Sequence, residues 1–232
     1  AQSFALIAKA DTHMKMACGD PKAACRIALL DPDLTQSQPR FVAAATGIDA
    51  ISHAVESYVT TRRNPVSQLF SRKAWQLLAN SFPHVVGARA HATARGGMLL
   101  GAHLAGAAIE NSMLGATHAL ANPLSAHFDI THGVAIGVML PHVVRWNSSV
   151  VGDLYRGLEA DAGIEISGGD SLAGRLVELV ALAGLPTRLS ALAIDESRID
   201  QMAEEASRQW TGTFNPRPLT PNDFSALYRA AW

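Results

Sequence analysis

The sequence is poor in cysteine, in aromatic residues and in charge. Cys18 and Cys25 are its two cysteines among 232 residues, and aromatic and charged residues make up 6% and 17% of the chain. Two cysteines argue against a disulfide-stapled secreted scaffold and favour a reducing environment, so we expect a cytoplasmic protein. A formal net charge of −1 provides no basic surface, and we therefore expect neither nucleic acid nor a membrane as a partner.

Several catalytic motifs are also absent. The sequence contains no H-E-x-x-H motif, no His-Asp dipeptide, no G-x-G-x-x-G motif and no P-loop, which argues against a zinc protease, an HD-type phosphohydrolase and a nucleotide-phosphate loop within these residues. The longest apolar run, 96–116, is interrupted by His103, Glu110 and Asn111. This run is typical of a buried helix rather than of a membrane span.

The pattern of apolar residues changes near Pro39. Before it, "SFALIAK", "KMAC" and "CRIALLDP" are short apolar runs separated by Gly, Pro and Asp, a pattern that predicts strands and turns. After it the pattern is helical. Pro39 suits the first turn of a helix, on which one apolar stripe would contain Ile48, Ile51, Val55 and Tyr58.

Further apolar periodicity predicts a mainly α protein. Ser171 and the pair Thr220-Pro221 are suitable helix starts, and "AGLP" at 183–186 is a suitable stop. The sequence thus predicts an all-helical domain over 38–232, preceded by a β-rich segment over 1–37. The predicted helices after the first are 66–80, 95–112, 114–122, 132–146, 151–162, 171–183, 195–209 and 221–231.

Histidines at helical spacing indicate a candidate metal site. Asp49 and His53 lie four residues apart, as do His118 and Asn122, and His132 follows ten residues after Asn122. Residues four apart share a helix face, and a carboxylate with three imidazoles can bind a divalent transition metal. A surface Asp–His pair and hydrogen-bonded core histidines would give the same spacing, so these alternatives stay open at this point.

Two long motifs resemble the iron-containing (group III) alcohol dehydrogenases: "ATGIDAISHAVESY" and "GATHALANPLSAHFDITHGVAIGVMLPHVVRWN". The resemblance extends over nearly the whole chain, through "ALLDPDLTQSQP" and "TGTFNPRPLTPNDFSALYRAAW". It implies the helical metal-binding domain of the dehydroquinate synthase-like/iron alcohol dehydrogenase fold. Residues 1–37 would then be the remnant of an α/β nucleotide-binding domain, and we expect the chain to be a fragment.

The resemblance also implies a reaction and a ligand set. It implies hydride transfer between NAD or NADP and a small alcohol or aldehyde, assisted by a divalent metal, Fe²⁺ or alternatively Zn²⁺. Lys15 would face the dinucleotide, and we expect a homo-oligomer, a dimer. The implied metal ligands are Asp49, His53, His118 and His132.

Asn122 is a departure from the family. Most members have a histidine there, which is thought to relay a proton or bind substrate, whereas an asparagine cannot titrate. His127, five residues later, could replace it; the alternative is a histidine that faces a loop. Asn122 and His127 are therefore the candidate catalytic residues.

Two other functions remain as alternatives. The chain could be a metal-binding helical module that is inactive without a cofactor domain. It could also be a lyase related to dehydroquinate synthase, although both long motifs match the dehydrogenases better.

Overall fold

A short antiparallel hairpin precedes the helices. The computed structural model describes residues 2–8, 15–87, 92–163 and 171–232. Strand β1 is Phe4–Ala8 and strand β2 is Lys15–Gly19, paired with Phe4 opposite Gly19 and Ala8 opposite Lys15. The Glu110 carboxylate accepts hydrogen bonds from the backbone N–H (3.0 Å) and hydroxyl (2.6 Å) of Ser3. These bonds connect the hairpin to the helical part.

Helices make up most of the described residues, which confirms the predicted mainly α fold. The segments between them contain short 3-10 turns, including one at Trp210–Phe214. The α-helices among these residues are α1 Arg40–Val59, α2 Pro65–Val86, α3 Ala92–Glu110, α4 Ala116–Phe128, α5 His132–Asp161, α6 Ser171–Leu182, α7 Ile199–Ser207 and α8 Pro221–Ala230.

The sequence accounts for several helix ends. α1 begins directly after Pro39, as predicted. α2 has Asn64 as its N-cap in a capping box with Ser67, which satisfies backbone N–H groups that the helix itself cannot pair. Thr220 caps α8 in the same way. Shortly after the end of α6, Gly184 has a φ of +73°, a conformation that favours glycine.

Helix α1 lies at the centre of the core. It packs against α2, α3 and α5, and the predicted stripe from Ile48 to Tyr58 is buried. Two buried polar groups find backbone partners: the indole N–H of Trp75 donates to the carbonyl of Leu158 (2.7 Å), and the Tyr228 hydroxyl donates to that of Leu120 (2.6 Å). The polar group of each of these large side chains therefore has a hydrogen-bond partner within the protein.

Some predicted elements differ from the structure. The segment "CRIALLDP" forms no strand, and Ile27 and Leu29 are 79% and 89% exposed, because a strand needs a neighbour to complete its hydrogen bonds. The predicted helices 132–146 and 151–162 are one helix, α5, bent at Val151, whose φ of −126° is not helical. Within the described residues, no helix combines the length and hydrophobicity that a membrane crossing requires.

Gly133 sets the approach of α5 to α1. A Cβ atom at this position would overlap the backbone carbonyl group of Ala45, and a main chain cannot yield as a flexible side chain can. Only glycine permits this contact, which also places the preceding residue, His132, beside α1.

We therefore expect Gly133→Ala to destabilise the fold by about 3 kcal/mol or more. Gly174→Ala is the matched control, because an added Cβ there meets no atom within 4 Å and alanine is the better helix former by about 0.5–1 kcal/mol. Thermal denaturation followed by circular dichroism measures both variants. Equal melting temperatures for the two would contradict the close α1–α5 contact.

Candidate metal centre

Three helices bring the predicted metal ligands together. Asp49 and His53 lie one turn apart on α1, His118 lies in the first turn of α4, and His132 is the first residue of α5. Helix α5 packs closely on α1, and α4 begins beside α1. The four side chains therefore lie in one region. Residues distant in sequence thus form one cluster.

Asp49 Oδ1 is the point on which the histidines converge. The Nε2 atoms of His53, His118 and His132 lie 3.4, 3.5 and 3.9 Å from it. One ligand atom from each of Asp49, His118 and His132 lies within 4.8 Å of the other two. The His53 ring stacks on that of His118, with 5.0 Å between centroids, so His53 borders this set from the α1 side.

The donor atoms fit a divalent metal. Asp49 Oδ1 and His118 Nε2 are buried and lie 3.5 Å apart, and neither makes a contact with hydrogen-bond geometry among the described residues. Buried polar atoms without partners are costly and rare, and a metal ion would satisfy both. One carboxylate oxygen with imidazole nitrogens is a ligand set that both Fe²⁺ and Zn²⁺ accept.

The cluster shifts the pKa values of its own members. Burial alone would raise the pKa of Asp49, but the charges of the histidines, with His53 contributing most, hold it well below its usual range. Burial alone would lower the pKa of His118, but the carboxylates of Asp49 and Glu56 raise it to about 9. Below about pH 9, His118 of the metal-free protein is therefore an imidazolium, and a metal must displace its second proton.

Glu56 is a residue of this centre that the sequence analysis missed. It is 4% exposed, and its Oε2 lies 2.5 Å from His118 Nδ1. The signal was present in the sequence: Asp49, His53 and Glu56 follow a spacing of four and three residues, which places all three on one helix face.

A small cavity of about 30 Å³ adjoins the histidines. It has room for one or two water molecules, and its wall is mostly apolar. Asn122, on the same helix face as His118, donates a hydrogen bond from Nδ2 to Gln209 Oε1 (3.0 Å) at this wall. The residues that line it are Phe4, Met113, Leu114, His118, Asn122, His132, Gln209, Trp210 and Thr211.

His127 lies apart from this cavity. It is in the last turn of α4, where Nε2 is 2.6 Å from Glu205 Oε2 and Nδ1 is 3.2 Å from Arg198 Nη2. Both ring nitrogens thus contact the segment that leads into and forms α7. Lys15 lies in β2, and its side chain is outside the part of the chain that the structure describes.

Known proteins share both this sequence pattern and this fold. Residues 43–232 match the model of the Fe-containing alcohol dehydrogenase family, C-terminal. Lactaldehyde reductase of Escherichia coli is 30% identical over 98% of this chain and 60% of its own length. NAD-dependent methanol dehydrogenase of Bacillus methanolicus is 28% identical, over 99% of this chain and 62% of its own length.

A crystal structure of 1,3-propanediol oxidoreductase superposes with a TM-score of 0.94 at 29% identity, and the match covers 100% of this chain and 62% of that one. The chain thus spans about 60% of the length of these relatives. The family match covers the segment that contains Asp49, Glu56 and all three clustered histidines. The chain belongs to the Fe-containing alcohol dehydrogenase family, of which it carries the C-terminal region.

Proposed function

We propose that this chain is the metal-binding part of an NAD(P)-linked oxidoreductase that interconverts an alcohol and an aldehyde or ketone. The observation that carries the proposal is the convergence of three histidine Nε2 atoms on Asp49 Oδ1, at the edge of a cavity. Asp49, His53, His118 and His132 would hold the divalent ion, Fe²⁺ or Zn²⁺. An ion held by these residues would supply Lewis-acid chemistry at a substrate oxygen.

The other residues around the cavity bind and orient the substrate. Phe4, Met113 and Trp210 supply apolar walls, which exclude water from the reacting carbon. By similarity to the relatives, the proposed substrates are small alcohols and aldehydes. NAD or NADP would supply the hydride chemistry when bound, and Lys15 would face that cofactor. We also propose a homodimer as the active assembly.

Enzyme activity is proposed for a protein that also contains a nucleotide-binding domain. A second candidate, a metal-binding module inactive as it stands, is favoured by the exposed apolar side chains of Ile27, Leu29 and Leu34, which precede α1 and have no strand beside them among the described residues. Residues 1–37 would belong to the nucleotide-binding domain and residues 38–232 to the metal-binding domain.

An assay of NADH and NADPH oxidation with small aldehydes tests the proposal. It would compare the 232-residue chain with the same chain preceded by a nucleotide-binding domain from a relative. We expect turnover only in the longer protein. Metal-dependent turnover by the 232-residue chain would contradict the division into domains, and none in either protein would contradict the proposed reaction.

His127→Gln is expected to leave the pH profile of turnover unchanged in the longer protein. Nε2 of His127 contacts Glu205 and Nδ1 contacts Arg198. The ring is therefore held away from the cavity and is poorly placed to relay a proton from the substrate. The variant should mainly loosen the contact between α4 and α7, at a cost of about 1 kcal/mol. A shift or loss of one limb of the profile would instead assign His127 to the proton relay.

Asn122→His is the companion variant. Asn122 lines the cavity and cannot titrate, so a histidine there would place an acid–base group next to the substrate. Relay by such a group is worth about 10²–10⁴ in rate. We expect a new limb in the pH profile of Asn122→His, and an unaltered profile would show that the proton leaves by another route.

A further inference from the structure

Glu56 makes two separate contacts inside the protein. Its Oε1 accepts a hydrogen bond from the backbone N–H of Thr117 (2.7 Å), and its Oε2 faces His118 Nδ1 at 2.5 Å. The carboxylate is 4% exposed and is not a member of the Asp49–His118–His132 ligand group. One side chain of α1 therefore holds both the start of α4 and the histidine that α4 contributes.

These contacts determine which nitrogen of His118 carries a proton. An ionised carboxylate only accepts hydrogen bonds, so the proton between Glu56 and His118 belongs on Nδ1. In a neutral imidazole the other nitrogen, Nε2, then carries the lone pair. Nε2 is the atom that faces Asp49 Oδ1, at 3.5 Å.

The surroundings keep the carboxylate in place and ionised. α4 begins after Gly115, which has no side chain to cap the helix, and its first N–H groups bond instead to Glu56 and to Asn215 Oδ1. The helix N-terminus stabilises a negative charge. A Cβ at Gly115 would lie 3.0 Å from Glu56 Oε1 and 3.2 Å from Asn215 Oδ1, so glycine makes room for this arrangement.

We propose that Glu56 is a positioning residue of the metal centre: it fixes the ring orientation of His118 and keeps the proton of the neutral imidazole on Nδ1, so that the proton displaced by the ion leaves from Nε2. This inference rests on the proposed function, because it assumes that His118 is a ligand. It adds a specific role for a residue outside the ligand set. Carboxylates that orient a metal-binding histidine typically change metal affinity about 10- to 100-fold when they are replaced.

A merely structural role for Glu56, as a cap of α4, is the competing explanation. Glu56→Gln separates the two, because the amide keeps the size and one acceptor. The backbone N–H of Thr117 would donate to the oxygen of the new side-chain amide, so the NH₂ group of that amide would face His118 Nδ1. The proton moves to Nε2, the ligand atom, although the helix cap is retained.

Glu159→Gln is the matched control. Glu159 is also a buried glutamate, 5% exposed, and its Oε1 accepts from the backbone N–H of Leu172 at the start of α6 (2.8 Å). A glutamine there keeps the same acceptor. Replacement of a helix-capping carboxylate by an amide is common to both variants, and contact with a histidine ligand is specific to Glu56.

The test is titration of the metal-free 232-residue chain with Co²⁺, followed by visible absorption, for wild type and both variants. We expect helical content to be retained in all three, affinity to fall about 10- to 100-fold in Glu56→Gln, and affinity to stay unchanged in Glu159→Gln. Equal affinity for wild type and Glu56→Gln would overturn the positioning role and leave the metal site standing. A wild type that binds no Co²⁺ would overturn both, and equal losses in the two variants would reduce Glu56 to a helix cap.

A second measurement does not depend on the folding of a variant. In the zinc-loaded wild type, nuclear magnetic resonance of ¹⁵N-labelled histidine should show His118 with its proton on Nδ1, hydrogen-bonded and slow to exchange with water. Zinc-loaded protein in which His118 Nδ1 carries no proton would overturn the inference.

Discussion

Replacement of His118 by alanine is expected to lower the affinity of the chain for Co²⁺ or Zn²⁺ by about 10²- to 10³-fold. A structural four-ligand zinc site binds with a free energy of about 10–16 kcal/mol, so each ligand accounts for about 2.5–4 kcal/mol, and each 1.4 kcal/mol is about tenfold in affinity. His118 contributes Nε2, which has no hydrogen-bond partner among the described residues. Isothermal titration of metal-free protein measures the change.

Controls distinguish loss of a ligand from loss of structure. His132→Ala should act like His118→Ala, and its side chain is more exposed, at 23% against 6%, so it disturbs the core less. His84→Ala and His142→Ala remove imidazoles that lie outside the ligand group and should keep full affinity. Equal affinities across the ligand and control variants would show that the convergence on Asp49 does not bind metal.

The pH dependence of metal binding is the second large effect. The pKa of His118 is about 9 in the metal-free protein. Burial alone would lower this pKa, but the carboxylates of Asp49 and Glu56 raise it by more than burial lowers it. Binding must release this proton, so apparent affinity should rise about tenfold per pH unit between pH 6.5 and 9 and level off above that range. An unperturbed histidine would level off near pH 6.5.

Folding stability of the metal-free protein should change in the opposite direction. The pKa of His118 in the folded protein lies above the unfolded value of about 6.5. Protonation of His118 therefore stabilises the folded state by its full amount below pH 6.5, and this stabilisation is lost as the pH rises through 9. The difference amounts to at most about 3 kcal/mol. Urea unfolding at pH 6.5 and pH 9, with and without Zn²⁺, measures it, and a metal-free protein equally stable at both values would contradict the raised pKa.

Helix periodicity allowed most of the fold to be predicted. The stripe from Ile48 to Tyr58 is buried, and the starts at Ser171 and Pro221 are those of α6 and α8. The predicted helix ends at residues 80 and 122 are too early. α2 continues through Pro83 to Val86 and α4 through Pro123 to Phe128, because packing in the last turns outweighs the missing N–H. Tertiary contacts of this kind leave no periodic signal.

Part of the candidate site could be predicted from the sequence. Spacing placed Asp49 with His53, and the structure brings His118 and His132 to the same carboxylate oxygen, although their assignment as metal ligands stays a proposal. The spacing could not reveal that Glu56 lies against His118, because that contact depends on where α4 begins beside α1. Nor could it tell that Asn122 lines the cavity and that His127 contacts Glu205.

Anomalous diffraction from crystals of the metal-loaded chain tests the central claim most directly. Data collected at the absorption edges of iron and zinc would locate any bound ion. The account predicts one peak per chain, within about 2.0–2.2 Å of Asp49 Oδ1 and of the Nε2 atoms of His53, His118 and His132. A map without a peak at this cluster, or with its peak at other residues, would contradict the proposed metal centre.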